Sequence, residues 1–81
     1  MRCQVLLFAQ LAEQIGASKL ELELPDDATV ATALDALAAE HEVVRELRGK
    51  IAVAVNEVYA RPTDALPAGC TIALIPPVSG G

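Results

Sequence analysis

Cysteine is nearly absent: Cys3 and Cys70 are the only two in a chain of 81 residues. Two are too few for a disulfide scaffold, and their separation excludes a CxxC pair, so both are expected as reduced thiols. No apolar run approaches the ~20 residues of a membrane-spanning helix, and the first residues lack a basic stretch followed by a cleavable small-residue site. A cytoplasmic chain without membrane association is therefore expected. Positive charge is scarce, with 6 Lys and Arg against 11 Asp and Glu. The resulting net charge of −5 would repel phosphate backbones, which disfavours nucleic acid and makes a basic protein surface the easier partner. There is no glycine-rich phosphate loop, no cluster with metal-ligand spacing, and one histidine, His41. Nothing here reads as a catalyst acting alone, or as a holder of a metal or bound cofactor.

What the chain does have is apolar residues, 53% of the total, ample for the core of one small domain. Cys3 to Ala9 (CQVLLFA) predicts a strand at the centre of a sheet. Cys3, Val5 and Leu7 lie on one face, Gln4, Leu6 and Phe8 on the other, and both faces should meet apolar neighbours. Gln10 to Ile15 fits one short helical turn stopped by Gly16. Leu20, Leu22 and Leu24 alternate with Lys19, Glu21 and Glu23, the period of an edge strand with one wet face. Pro25-Asp26-Asp27 breaks it, and Thr29 is placed to cap a helix from Val30 to about His41. Val30, Ala33, Leu34, Leu37 and Ala38 form a single stripe along that helix. A short turn over Val43 to Arg48 closes at Gly49, and Ile51, Val53 and Val55 alternate as a third strand. Asn56-Glu57 bends into a brief strand, Val58 to Ala60. Arg61 to Gly69 reads as loop, and Thr71 to Ile75 is the last strand, with Ile72 and Leu74 on one parity.

This order places one main helix across one face of a mixed sheet of four to five strands, an α+β, β-grasp (ubiquitin-like) pattern. A single helix covers one sheet face, so the other is expected to be partly exposed. Residues 1–75 then form the β-grasp domain and residues 76–81 an extended C-terminal tail.

The tail, Pro76-Pro77-Val78-Ser79-Gly80-Gly81, is the most informative segment. Pro76 and Pro77 lack N–H donors and have φ pinned near −65°, so pairing should stop and the chain should leave as a stiff stalk. Six residues at up to ~3.3 Å each reach about 20 Å, enough to enter a deep cleft on another protein. Gly80 and Gly81 have no Cβ and can thread a channel too narrow for a side chain. The plain reading of a terminal Gly-Gly is a frayed end, but a frayed end requires neither the strand nor the Pro-Pro before it. A free carboxylate at Gly81 is a poor electrophile. It would need ATP, used by an activating partner, to become an acyl adenylate that sulfur or an amine can attack.

Three segments, VLLFAQLAEQIG at the front, VAVNEVYA in the middle and IPPVSGG at the end, resemble in order and separation the ubiquitin-like sulfur carriers that serve as the small subunit of molybdopterin synthase. The likeness spans nearly the whole chain, and its last segment is the most specific. The resemblance implies that Gly81 is adenylated by an adenylyltransferase related to ubiquitin-activating enzymes, then converted to a thiocarboxylate by a sulfurtransferase system. Pro76, Pro77, Val78, Ser79 and Gly80 would carry Gly81 into the large catalytic subunit, where sulfur passes to precursor Z (cyclic pyranopterin monophosphate) in molybdenum cofactor biosynthesis. A heterotetramer, two small subunits flanking a dimer of large ones, is the implied assembly, with this chain a non-catalytic co-substrate. Three other readings exist: a thiamine-pathway sulfur carrier, a ubiquitin-like modifier joined to lysines through Gly81, and an interaction module with an inert tail.

The same resemblance places partner contacts on the sheet face away from the helix, where strand parity puts Phe8, Tyr59 and Ile75 as anchors. Packing under the loops is their alternative role. Cys3 and Cys70 fall on core-facing parities of the first and last strands and read as small buried hydrophobes rather than a persulfide or redox site. His41 reads as a surface residue at a helix end.

Overall fold

Alternating apolar residues turn into buried strand faces only when strands find partners, and here the first and last strands pair with each other. The computed structural model describes residues 1–78. Strand β1 (Arg2–Leu7) leads through α1 (Ala9–Ile15) to β2 (Lys19–Glu23). Helices α2 (Val30–Glu40) and α3 (Glu42–Leu47) and a 3-10 turn (Arg48–Lys50) follow, then β3 (Ala52–Val55), β4 (Val58–Ala60) and β5 (Thr71–Ile75). The sheet runs β2-β1-β5-β3-β4. β1 and β5 are parallel, with Val5 opposite Ile72 and Leu7 opposite Leu74, and the other neighbouring pairs are antiparallel. A parallel pair needs a long crossover. The crossover here holds α2, which lies across the sheet in the β-grasp arrangement.

One sheet face and all three helices share a single core: Cys3, Val5, Leu7, Val53, Ile72 and Leu74 from the strands pack with Leu11, the full α2 stripe and Val43 and Val44. Leu11, Leu37, Ile72 and Leu74 are enclosed almost completely. Each such side chain contributes about 1.5–3 kcal/mol by leaving water. The α2 stripe is the one the i, i+3, i+4 spacing predicts. Its start is also as expected: the Thr29 hydroxyl accepts from the Thr32 N–H at 3.3 Å, while the Thr29 N–H donates to the Thr32 hydroxyl at 3.1 Å.

Three local expectations needed correction. The first strand stops at Leu7 rather than Ala9, because Phe8 becomes the N-cap of α1 and Ala9 turns the chain with φ 49°. The other face of β1 meets less than expected: Gln4 and Leu6 are only half-buried and Phe8 is exposed. His41 lies at the end of α2, as expected, and forms the extended break between α2 and α3. There the Arg45 guanidinium donates to the Ala38 carbonyl at 3.2 Å, closing the end of α2. The stretch from Arg61 to Gly69 is more than a surface loop. The Pro62 and Asp64 carbonyls accept from the Ala31 and Val30 amides at 3.0 Å, satisfying first-turn donors of α2, and Leu66 enters the core.

The β3–β4 hairpin turns on Asn56 and Glu57, both left-handed, with φ 49° and 71°. Asn56 suits that conformation, and its carbonyl oxygen accepts from the Thr71 N–H at 3.0 Å, tying the turn to β5. Glu57 only tolerates it. Replacing Glu57 with Gly is expected to raise stability by about 0.5–1 kcal/mol, the relieved left-handed strain less the added freedom of the unfolded chain. Urea unfolding checks this, and an equal or lower midpoint would contradict the strain argument.

Candidate functional site

The sheet face turned away from the helices is the surface from which the tail departs. Register puts Leu6, Ala73, Ala54 and Tyr59 in one row across β1, β5, β3 and β4, and Ile75 with Ala52 in the next. Phe8 continues β1 beside Ile75. This face is apolar without being covered: Phe8 is 46% and Tyr59 75% exposed, and Ile75 is half-buried. Charge sits at its margins: at the β2 edge Arg2 pairs with Glu21 at 3.6 Å and Glu23 at 3.3 Å, and Glu57 borders Leu6 and Ala73.

β5 ends at Ile75, and Pro76 is buried against the body, so the chain comes free only at Pro77. Val78 is 98% exposed. Between the departing chain and α1 lies a concavity of about 510 Å³, lined by Phe8, Gln10 and Glu13 on one side and Ile75 to Val78 on the other. The structure thus joins Phe8 and Ile75 at the root of the tail, while Tyr59 stands on the same face three strands from β1, on the outer strand. The exposure of Phe8 and Tyr59 excludes packing under loops. Ser79, Gly80 and Gly81 lie outside the described residues. Leu6, Ala54 and Ala73 were not singled out from sequence, because their place between the anchors depends on strand order. Glu13, an exposed carboxylate beside the tail root, carried no sequence signal either.

Cys3 and Cys70 meet in the core. The Cys70 thiol donates to the Cys3 sulfur at 3.4 Å, and burial, aided by that contact, pushes the Cys70 thiol up from 9.0 to about 11. Such a thiol is poorly nucleophilic at neutral pH, which agrees with the reading of both cysteines as buried apolar side chains. Among the described residues no group of three His, Cys, Asp or Glu side chains gathers to hold a metal, and no helix is long and apolar enough to cross a membrane.

With this geometry in place, comparison with known proteins is informative. Residues 5–81 match the profile of the ThiS family. The molybdopterin synthase sulfur carrier subunit of Arabidopsis thaliana is 35% identical over 78 residues, covering 96% of this chain and 81% of that protein. Small archaeal modifier protein 1 of Haloferax volcanii is 41% identical over 83 residues, covering 93% of this chain and 95% of that protein. Its crystal structure superposes with a TM-score of 0.86 over 100% of both chains at 38% identity. A complex of subunits 1 and 2 of the molybdopterin-converting factor from Helicobacter pylori contains a chain with a TM-score of 0.68 and 28% identity, again over 100% of both.

Titration of the buried thiol gives a test of the core geometry. Cys70 holds its proton more tightly folded than unfolded, so its contribution to stability is complete below 9.0 and is lost as pH rises to about 11. Urea midpoints should fall across that window in the native protein and fall less in Cys70→Ala. Identical pH profiles would mean that the thiol is not held as described.

Proposed function

This chain belongs to the ThiS family, and from that membership we propose that Gly81 is the acyl end of a sulfur carrier serving molybdopterin synthase. The Gly81 carboxylate attacks the α-phosphate of ATP on an adenylyltransferase related to ubiquitin-activating enzymes, and pyrophosphate leaves. A persulfide sulfur from a sulfurtransferase system then displaces AMP from the acyl carbon. A second thiol of the sulfurtransferase system attacks the outer sulfur of the resulting acyl disulfide, the S–S bond breaks, and a thiocarboxylate leaves as the two enzyme sulfurs form a disulfide. Inside the large subunit that sulfur displaces an oxygen substituent from a side-chain carbon of precursor Z, so that a C–S bond replaces a C–O bond, and water then cleaves the acyl–sulfur bond to restore the carboxylate.

What supports this reading is the exit of the chain from the sheet. β5 is the central strand, Pro76 is fixed in the body, and Pro77 and Val78 run out exposed beside Phe8. A charged acyl end on a narrow Gly-Gly lead needs to be delivered into another protein's site without bringing the domain along. The rigid root does this, and the apolar row of Leu6, Ala73, Ala54 and Tyr59 supplies a surface on which a large subunit can seat. The Helicobacter two-subunit complex supports such an assembly, and a heterotetramer is its proposed form. The Haloferax relative's name favours a second outcome of the same adenylate, attack by a lysine amine to give an isopeptide bond. The two outcomes share every feature of this chain and differ only in the nucleophile.

An intact mass of the protein isolated from its own cells should reveal one oxygen replaced by sulfur, localised to Gly81. Thiocarboxylated protein should convert precursor Z when mixed with the large subunit. Failure of that conversion sinks the molybdopterin reading, and adducts on lysines of other proteins replace it with the modifier. A second expectation concerns the end itself: deleting Gly81, or adding one residue after it, abolishes adenylation and leaves the thermal midpoint unchanged. An extended protein adenylated at the normal rate would contradict the role of Gly81.

A further inference from the structure

Cys3 and Cys70 have no part in the carrier chemistry, yet their placement is specific. The two sulfurs are 3.4 Å apart, and the residues are only 1% and 2% exposed. The Gln4 N–H donates to the Cys70 carbonyl at 3.0 Å, and the parallel register sets Gln4 opposite Thr71, so Cys3 lies opposite Cys70 on the neighbouring strand. Adjacent strands are ~4.8 Å apart, inside the ~4.4–6.8 Å separation of Cα atoms that a disulfide spans. Thiols already in contact need only side-chain rotation to bond.

We propose that Cys3 and Cys70 are a built site for an intrachain disulfide, formed by hydrogen peroxide, that staples β1 to β5 and leaves the tail free. One thiol sulfur attacks a peroxide oxygen: an S–O bond forms, the O–O bond breaks, and water leaves, giving a sulfenic acid. The second thiol sulfur attacks that sulfenic sulfur, the S–S bond forms, the S–O bond breaks, and the hydroxyl departs with the thiol proton as a second water. Both sulfurs are oxidised and both peroxide oxygens reduced. The buried pair excludes a further peroxide, so the reaction stops at the disulfide. Because the Cys70 thiol keeps its proton at neutral pH and both sulfurs are enclosed, the reaction is slow and follows local opening.

The staple's position sets its effect. Cys70 immediately precedes β5 and the tail follows its other end, so the bond closes at the end of β5 opposite Pro76 and on the core side of the sheet, away from the face that carries Leu6, Ala73 and Ala54. It also joins residues near the two ends of the sequence, closing a long loop that restricts the unfolded chain strongly.

The test uses the full chain, first reduced and then treated with hydrogen peroxide, unfolded and alkylated. The expected product is a monomer lighter by two hydrogens, with neither cysteine alkylated. Its thermal midpoint should lie about 10 °C or more above that of the same protein kept in dithiothreitol. Cys3→Ala and Cys70→Ala should show no such rise on oxidation. If a variant fails to fold, the oxidised and reduced native protein decide the matter alone. Cysteines that remain alkylatable, a disulfide-linked dimer, oxygen adducts, or a closed bond with no higher midpoint would each overturn the proposal.

Discussion

The parallel pairing of β1 with β5 is the constraint on which the rest of the molecule depends. It sets Val5 against Ile72 and Leu7 against Leu74 beneath α2. A parallel pair cannot be closed by a tight turn, and the connection from β2 on one edge to β3 on the far side of β5 crosses one face of the sheet, carrying α2 and α3 with it. The helices therefore gather on that face, and the other stays bare. The asymmetry between a packed face and an open one follows from this pairing and the shortness of the chain.

The same pairing decides where the chemistry is offered. Because β5 is flanked on both sides, its end is held by β1 and β3 alike, and a chain leaving it has a fixed point of departure. Pro76 remains part of the body and Pro77 begins the exposed stretch. The direction of the tail is thus a property of the sheet centre, the most protected part of the structure, rather than of a loop. At the opposite end of β5 the pairing brings the two thiols together. One strand joins two touching thiols in the core to the exposed start of the tail.

Membership in the ThiS family supports the proposed division of labour, a rigid folded carrier with its acyl end at Gly81. The relatives differ in what the acyl end is handed to, sulfur chemistry in one name and protein modification in another. Both outcomes need an activated glycine and a surface for the enzyme that receives it. The apolar row on the open face serves either.

The sequence by itself determined the elements and their buried sides. The α2 stripe, the Thr29 cap, the Gly16 stop and the strand parities of Ile72 and Leu74 are local patterns, set by periods of 3.6 and 2 and by side chains that satisfy neighbouring amides. It also marked the tail, since Pro-Pro and Gly-Gly act through their own backbones. Only the tertiary structure decided the strand order, and with it the gathering of Leu6, Ala73, Ala54 and Tyr59 into one surface and the contact of Cys3 with Cys70. The turn of the chain at Phe8 and Ala9, the burial of Pro76 and the use of the 61–69 segment to cap α2 were likewise hidden. Each rests on a partner distant in sequence, which no local period can specify.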